Sequence, residues 1–107
     1  MKLKKNEQNA LSTLKKQLDS LYPVLDYRIF GSKARGDASP HSDIDVMIEV
    51  EELNAKIESD IYDIIFEINL NNDCFISPTI FSRKEIEEGP LSESPIYKVI
   101  MEEGVSL

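Results

Sequence analysis

The sequence is poor in the features that mark several common protein classes. It has one cysteine, Cys74, so no intrachain disulfide can form, and a reducing, cytoplasmic setting is expected. Cys74 sits in an apolar run with no histidine near it in sequence, which reads as a packed thiol rather than a nucleophile. No hydrophobic stretch approaches the length of a membrane span. The basic start, Met1-Lys2-Leu3-Lys4-Lys5-Asn6, leads into polar residues instead of the apolar core of an export signal, so neither anchor nor leader is expected. Positive charge is also scarce. Twelve Lys and Arg stand against 20 Asp and Glu, a net charge of −8 that opposes the phosphate contacts on which tight nucleic-acid binding depends. There is no internal repeat, and 107 residues leave room for one core, so a single domain over residues 1–107 is predicted.

With 41% hydrophobic and 30% charged residues, the chain is too apolar to be disordered. Leu11, Leu14, Leu18 and Leu21 recur at helical spacing between Lys4 and Tyr22, and Pro23 ends that helix. Val24–Phe30 reads as a strand that runs into Gly31-Ser32, followed by a short helical turn to Arg35 and a loop to Ser42. From Asp43 to Val50, Ile44, Val46, Ile48 and Val50 alternate with Asp43, Asp45, Met47 and Glu49, the pattern of a half-buried strand. Asn54 is placed to cap a helix reaching Leu70 with a stripe of Ile57, Ile61, Ile64, Ile65 and Ile68. A third strand is expected over Cys74–Phe81, at an edge or with a bulge because Pro78 cannot donate to a ladder. Two short helices follow, one from Ser82 to Glu88 and one opened by Ser94-Pro95 and stopped by Gly104. The resulting order is α-β-β-α-β-α-α. It predicts an α/β (α+β) domain with a small mixed sheet of three or more strands flanked by helices.

The chemistry is concentrated in Gly31-Ser32, ten intervening residues, and Asp43-Ile44-Asp45. Residues two apart on a strand point the same way, so Asp43 and Asp45 can direct both carboxylates at one divalent cation while Ile44 faces the core. Gly31 ends the preceding strand and permits a close backbone approach. Ser32 opens a turn whose N–H groups and hydroxyl suit an anion, with Lys33 and Arg35 as candidate counter-charges. Metal and phosphate requirements thus meet in one place. Arg35 has an equally good alternative as a partner for Asp37. His41, the one histidine, lies in the loop between Pro40 and Ser42 and reads as an exposed spacer before a ligand or base.

This pattern, with Ser32-Lys33-Ala34-Arg35-Gly36 and Ser42-Asp43-Ile44-Asp45-Val46 around it, resembles the DNA polymerase β-type nucleotidyltransferase superfamily, and within it the minimal nucleotidyltransferases (MNT). The likeness runs over nearly all of the chain, including the tail from Ser94-Pro95-Ile96-Tyr97 to Glu103-Gly104-Val105. It implies the nucleotidyltransferase fold and transfer of AMP from ATP to an acceptor hydroxyl with release of pyrophosphate. It also implies two Mg²⁺ ions held by Asp43, Asp45 and a third carboxylate from the neighbouring strand. The pattern places that third acid near Phe75, where this chain has an aromatic ring. Asp73, two residues earlier, is the candidate if the strand has begun there, and otherwise a helix-ending residue in Asn71-Asn72-Asp73. The resemblance further implies a HEPN-type partner protein, with this chain as the antitoxin that adenylylates and silences it in a toxin–antitoxin pair. Two alternatives stand beside this: a nucleotide-binding docking subunit with weak or no catalysis, and transfer to a small molecule or nucleic acid, which size and acidity disfavour. A homo-oligomer is compatible with either.

Overall fold

In a computed structural model describing Met1–Leu107, the leucine stripe of the N-terminal segment forms helix α1, Lys5–Leu21, with Ala10, Leu11, Leu14 and Leu18 buried. The Glu7 carboxylate accepts the Lys4 backbone N–H at 2.9 Å, closing the start of the helix. Strand β1 is Val24–Phe30, the turn α2 is Gly31–Arg35, and strand β2 is Ile44–Val50. Helix α3, Ala55–Asn72, begins where the Asn54 side chain accepts the Ile57 N–H at 2.9 Å. Strand β3, Ile76–Ser82, runs into α4, Arg83–Glu88, whose Glu85 N–H is bound by the Ser82 hydroxyl at 3.0 Å. A 3₁₀ turn at Pro90–Glu93, helix α5 at Pro95–Glu103 and a two-residue strand β4, Val105–Ser106, complete the chain.

The four strands lie in the order β3-β2-β1-β4, with β1 antiparallel to both β2 and β4, and β2 parallel to β3 through the α3 crossover. Pro78 is on the edge strand, as its missing N–H requires. On one face, Leu14 and Leu18 of α1 and Ile61, Ile65 and Ile68 of α3 pack over Ile29, Ile44, Val46 and Ile48. On the other, Phe30, Met47 and Phe81 meet Ile100 of α5, and the Phe81 and Tyr97 rings form an edge-on pair 5.8 Å apart.

Three features differ from the sequence expectation. β2 is not half-buried: Met47 and Glu49 are covered because α5 and Arg83 close over the second face, and Glu49 pairs with Arg83. β4 and the 3₁₀ turn are additional, being too short to leave a periodic signal. The third strand begins at Ile76 rather than Cys74, because α3 runs two residues further, to Asn72, and Asp73 ends it in a left-handed conformation.

Candidate active site

The strand end, the turn and the start of β2 are brought together by the pairing of β1 with β2, in which Phe30 faces Asp45. Gly31 follows at φ +75°, a conformation that side chains other than glycine rarely adopt. A Cβ on Gly31 would lie 2.5 Å from the Asp45 Oδ2. The carboxylate therefore occupies the space a side chain would need, held directly against the turn that carries Ser32. Asp43 lies exposed one residue before β2, and its two-residue spacing from Asp45 puts both on the sheet face that carries Met47. Burial first, and the Asp43 carboxylate next, push the Asp45 carboxyl above its ordinary range, while the Arg35 guanidinium pulls it down. Two carboxylates converge here with no salt bridge to either and only Arg35 offsetting part of their repulsion, the electrostatic situation a bound cation relieves.

The loop from α2 to β2 is tied at its end. The Ser42 hydroxyl accepts the Ser39 N–H at 2.9 Å and lies 3.0 Å from the Ser39 hydroxyl, while the Ser42 N–H donates to the Ser39 carbonyl. This closes a turn immediately before Asp43.

Of the two candidate counter-charges, only Arg35 is accessible. It donates to Asp37 at 3.2 Å and to Glu103 of α5 at 3.1 Å, so it does take its expected acidic neighbour, yet half of its side chain is exposed and its charge reaches Asp45. Lys33 is different. Its ammonium is buried and paired with Glu7 at 2.9 Å, both side chains being over nine-tenths covered. Burial pushes the Glu7 carboxyl up, but the Lys4 N–H and the Lys33 ammonium outweigh it and hold its pKa below the usual value. Lys33 therefore pins α2 to α1 and is not free to meet a phosphate.

The third carboxylate is not assembled. Asp73 precedes β3, caps α3 in the left-handed region and lines a cleft of about 360 Å³ with Lys4, Asn6 and His41, a lining that does not include Asp43 or Asp45. The helix-ending alternative is the one the fold adopts, because the Asn6 side chain binds the Asn72 and Asp73 carbonyls and holds that end against α1. No group of three or more His, Cys, Asp or Glu side chains converges to hold a metal. On β3 the residue in register with Asp45 is Ser77, and Phe75, two residues before it, is 64% exposed. His41 is exposed in its loop. Cys74 is half-buried, and burial followed by the Glu7 and Asp73 carboxylates raises its thiol pKa, in keeping with a packed side chain.

Sequence reasoning missed Glu7 and Ser42. Glu7 had a signal, since it falls on the same helical stripe as Leu11, Leu14 and Leu18, where an acid needs a buried partner. Ser42 also had one, in the Ser39-Pro40-x-Ser42 turn before the first aspartate.

The chain matches the model of the family described as "Nucleotidyltransferase domain" over residues 11–106. It is 34% identical over 98 residues to a Methanocaldococcus jannaschii protein named "putative protein adenylyltransferase", covering 91% of this chain and 92% of that protein. Its fold is similar to that of a crystal structure titled as a "putative nucleotidyltransferase" from Sulfolobus solfataricus, with a TM-score of 0.51 and 21% identity over 98% of this chain and 87% of the other.

Proposed function

The chain belongs to the nucleotidyltransferase domain family, and on that premise we propose that it transfers AMP from ATP, with Mg²⁺, to a hydroxyl of a partner protein. The observation that carries the reading is the contact between Asp45 and the glycine position at the head of α2. One small turn joins a carboxylate pair to backbone able to approach a phosphate closely. Asp43 and Asp45 would hold the Mg²⁺, their paired carboxylates supplying charge and oxygen donors that match its preference. When bound, the metal supplies charge neutralisation on the triphosphate and a lowered pKa at the attacking hydroxyl. Gly31 and Ser32 orient the triphosphate through backbone N–H groups and the hydroxyl. Arg35, tethered to Asp37 and Glu103, adds positive charge at the rim.

A protein acceptor is favoured by the relative named as a protein adenylyltransferase, whose length this chain nearly spans. A HEPN-type protein silenced by adenylylation, with this chain as its antitoxin, is the form of that partner the sequence resemblance implies. The test is incubation of the chain with labelled ATP, Mg²⁺ and the product of the adjacent gene. Label is expected on that protein, and Asp43→Asn is expected to lower it by at least about a hundredfold, as for loss of a preorganised electrostatic group. Undiminished labelling by the variant would refute this site.

One observation favours a second reading, a nucleotide-binding subunit with weak or no turnover: Asp73 ends α3 instead of joining β3, and no third acid completes a cluster with the pair. Calorimetry distinguishes the two, since ATP binding without pyrophosphate release in the presence of the partner supports the second.

A further inference from the structure

Helix α3 buries one stripe and leaves another in solvent. Tyr62, Phe66 and Leu70, spaced by four residues, are 47%, 65% and 68% exposed, and Phe75 beyond the end of the helix is 64% exposed. Tyr62, Phe66 and Phe75 line a groove of about 400 Å³ between α3 and β3, with Asn69 and Pro78 in its floor and wall. Contiguous large apolar side chains of this kind mark interaction sites on soluble proteins. We propose that this groove is the docking surface for a partner protein that presents apolar side chains surrounded by Lys and Arg.

The charge around the groove selects that occupant. The one charged residue in its lining is Asp63, and Glu58, Glu67 and Asp73 flank it in sequence with no basic residue between Ile57 and Ser82, while Asp60 is taken by Lys56. Asp63 and Glu67 are exposed on α3 among the apolar residues, and Asp73 lies beside Phe75. A second copy of this chain, with its net charge of −8, would bring acid against acid. Pairing through the free edge of β3 is also blocked at the groove, over Ile76–Pro78. The Asn69 side chain accepts the Ile76 N–H at 2.8 Å and donates to the Ile76 carbonyl at 3.2 Å, and Pro78 has no N–H to offer. At this end of β3 a partner therefore meets side chains rather than open backbone. The Phe75 end of the groove adjoins the start of β2, because the Phe75 carbonyl accepts the N–H of Ile44, although Asp43 and Asp45 lie on the opposite face of the sheet. The groove thus gives the partner of the proposed reaction a place on this chain. It rests on that reading only for the partner's role as acceptor, not for the binding.

The probe is a fluorescein-labelled amphipathic Leu/Lys peptide, with a Leu/Glu peptide of equal length as its counterpart, followed by anisotropy without nucleotide or metal. The Leu/Lys peptide is expected to bind and the Leu/Glu peptide not. Phe66→Ser should weaken binding by at least about tenfold, as expected for an aromatic anchor. Glu67→Lys should weaken it too, whereas Glu87→Lys on the exposed face of α4 leaves it unchanged. Asp43→Asn should bind as wild type, so loss of transfer and loss of docking are read separately. Equal affinities for wild type and Phe66→Ser, or equal losses from Glu67→Lys and Glu87→Lys, would overturn the proposal. So would a concentration-dependent dimer in sedimentation that Phe66→Ser abolishes, which would make a second copy the occupant.

Discussion

A methyl group at position 31 has no space, since it would overlap the Asp45 carboxylate and force an alanine into a left-handed backbone. The conformational part alone costs about 1–2 kcal/mol. Gly31→Ala is therefore expected to lower stability to urea by at least that amount and, by displacing Asp45, to weaken Mg²⁺ binding measured by calorimetry. A variant with wild-type Mg²⁺ affinity would mean that Asp45 does not depend on this contact. Arg35 acts in the opposite sense on the same group, since its charge offsets part of the burial and repulsion that raise the Asp45 pKa. Its two exposed ion pairs add little to stability. Their effect is to hold a positive charge near the carboxylates.

Between elements, the buried Glu7–Lys33 pair joins the first turn of α1 to the turn that carries Ser32. Removing one member leaves the other buried without its opposite charge, Glu7 keeping only the Lys4 N–H. Lys33→Met is therefore expected to cost about 3–5 kcal/mol in denaturant unfolding, with much of the loss recovered in the Glu7→Leu/Lys33→Met double variant. Equal stability of the two variants would show that the pair is not coupled. The pH dependence has a definite sign. Folding holds the Glu7 pKa below its ordinary value of 4.5, so the stabilisation is complete above that value and is lost as pH falls through the lower folded one. Wild type should lose stability more steeply than the double variant in that acid window. α3 has a similar joining role at the sheet edge, where Asn69 occupies the backbone groups of Ile76 and leaves the docking face to side chains.

At the scale of the whole molecule, the site exists only because the β1–β2 pairing sets Phe30 against Asp45 and so brings α2 to the carboxylates. A ligand that bridges both parts binds the folded chain alone. Mg²⁺ with ATP is thus expected to raise the melting temperature more than either by itself, with a stabilisation of about 2.7 kcal/mol when the complex is a hundredfold above its Kd. The same thermal shift in Asp43→Asn would place the nucleotide elsewhere. No helix is long and apolar enough to cross a membrane, in line with the absence of a long apolar run. Periodicity and turn chemistry were enough to define β1, α3 with its Asn54 cap and the Ser82 cap, because each depends on residues close in sequence, and they narrowed Pro78 to an edge or a bulge, of which the fold took the edge. The Gly31-Ser32 to Asp43-x-Asp45 spacing made the candidate site legible for the same reason, as a strand end and a strand start joined by one loop. Only the tertiary structure decided that Lys33 is consumed by Glu7, that Met47 and Glu49 are covered, and that Asp73 ends α3 rather than beginning β3. Those outcomes depend on which helix lies over which face and how far α3 extends before the chain re-enters the sheet. Such packing contacts span tens of residues: the helical stripe shows that Glu7 needs a partner, but not that the partner is Lys33.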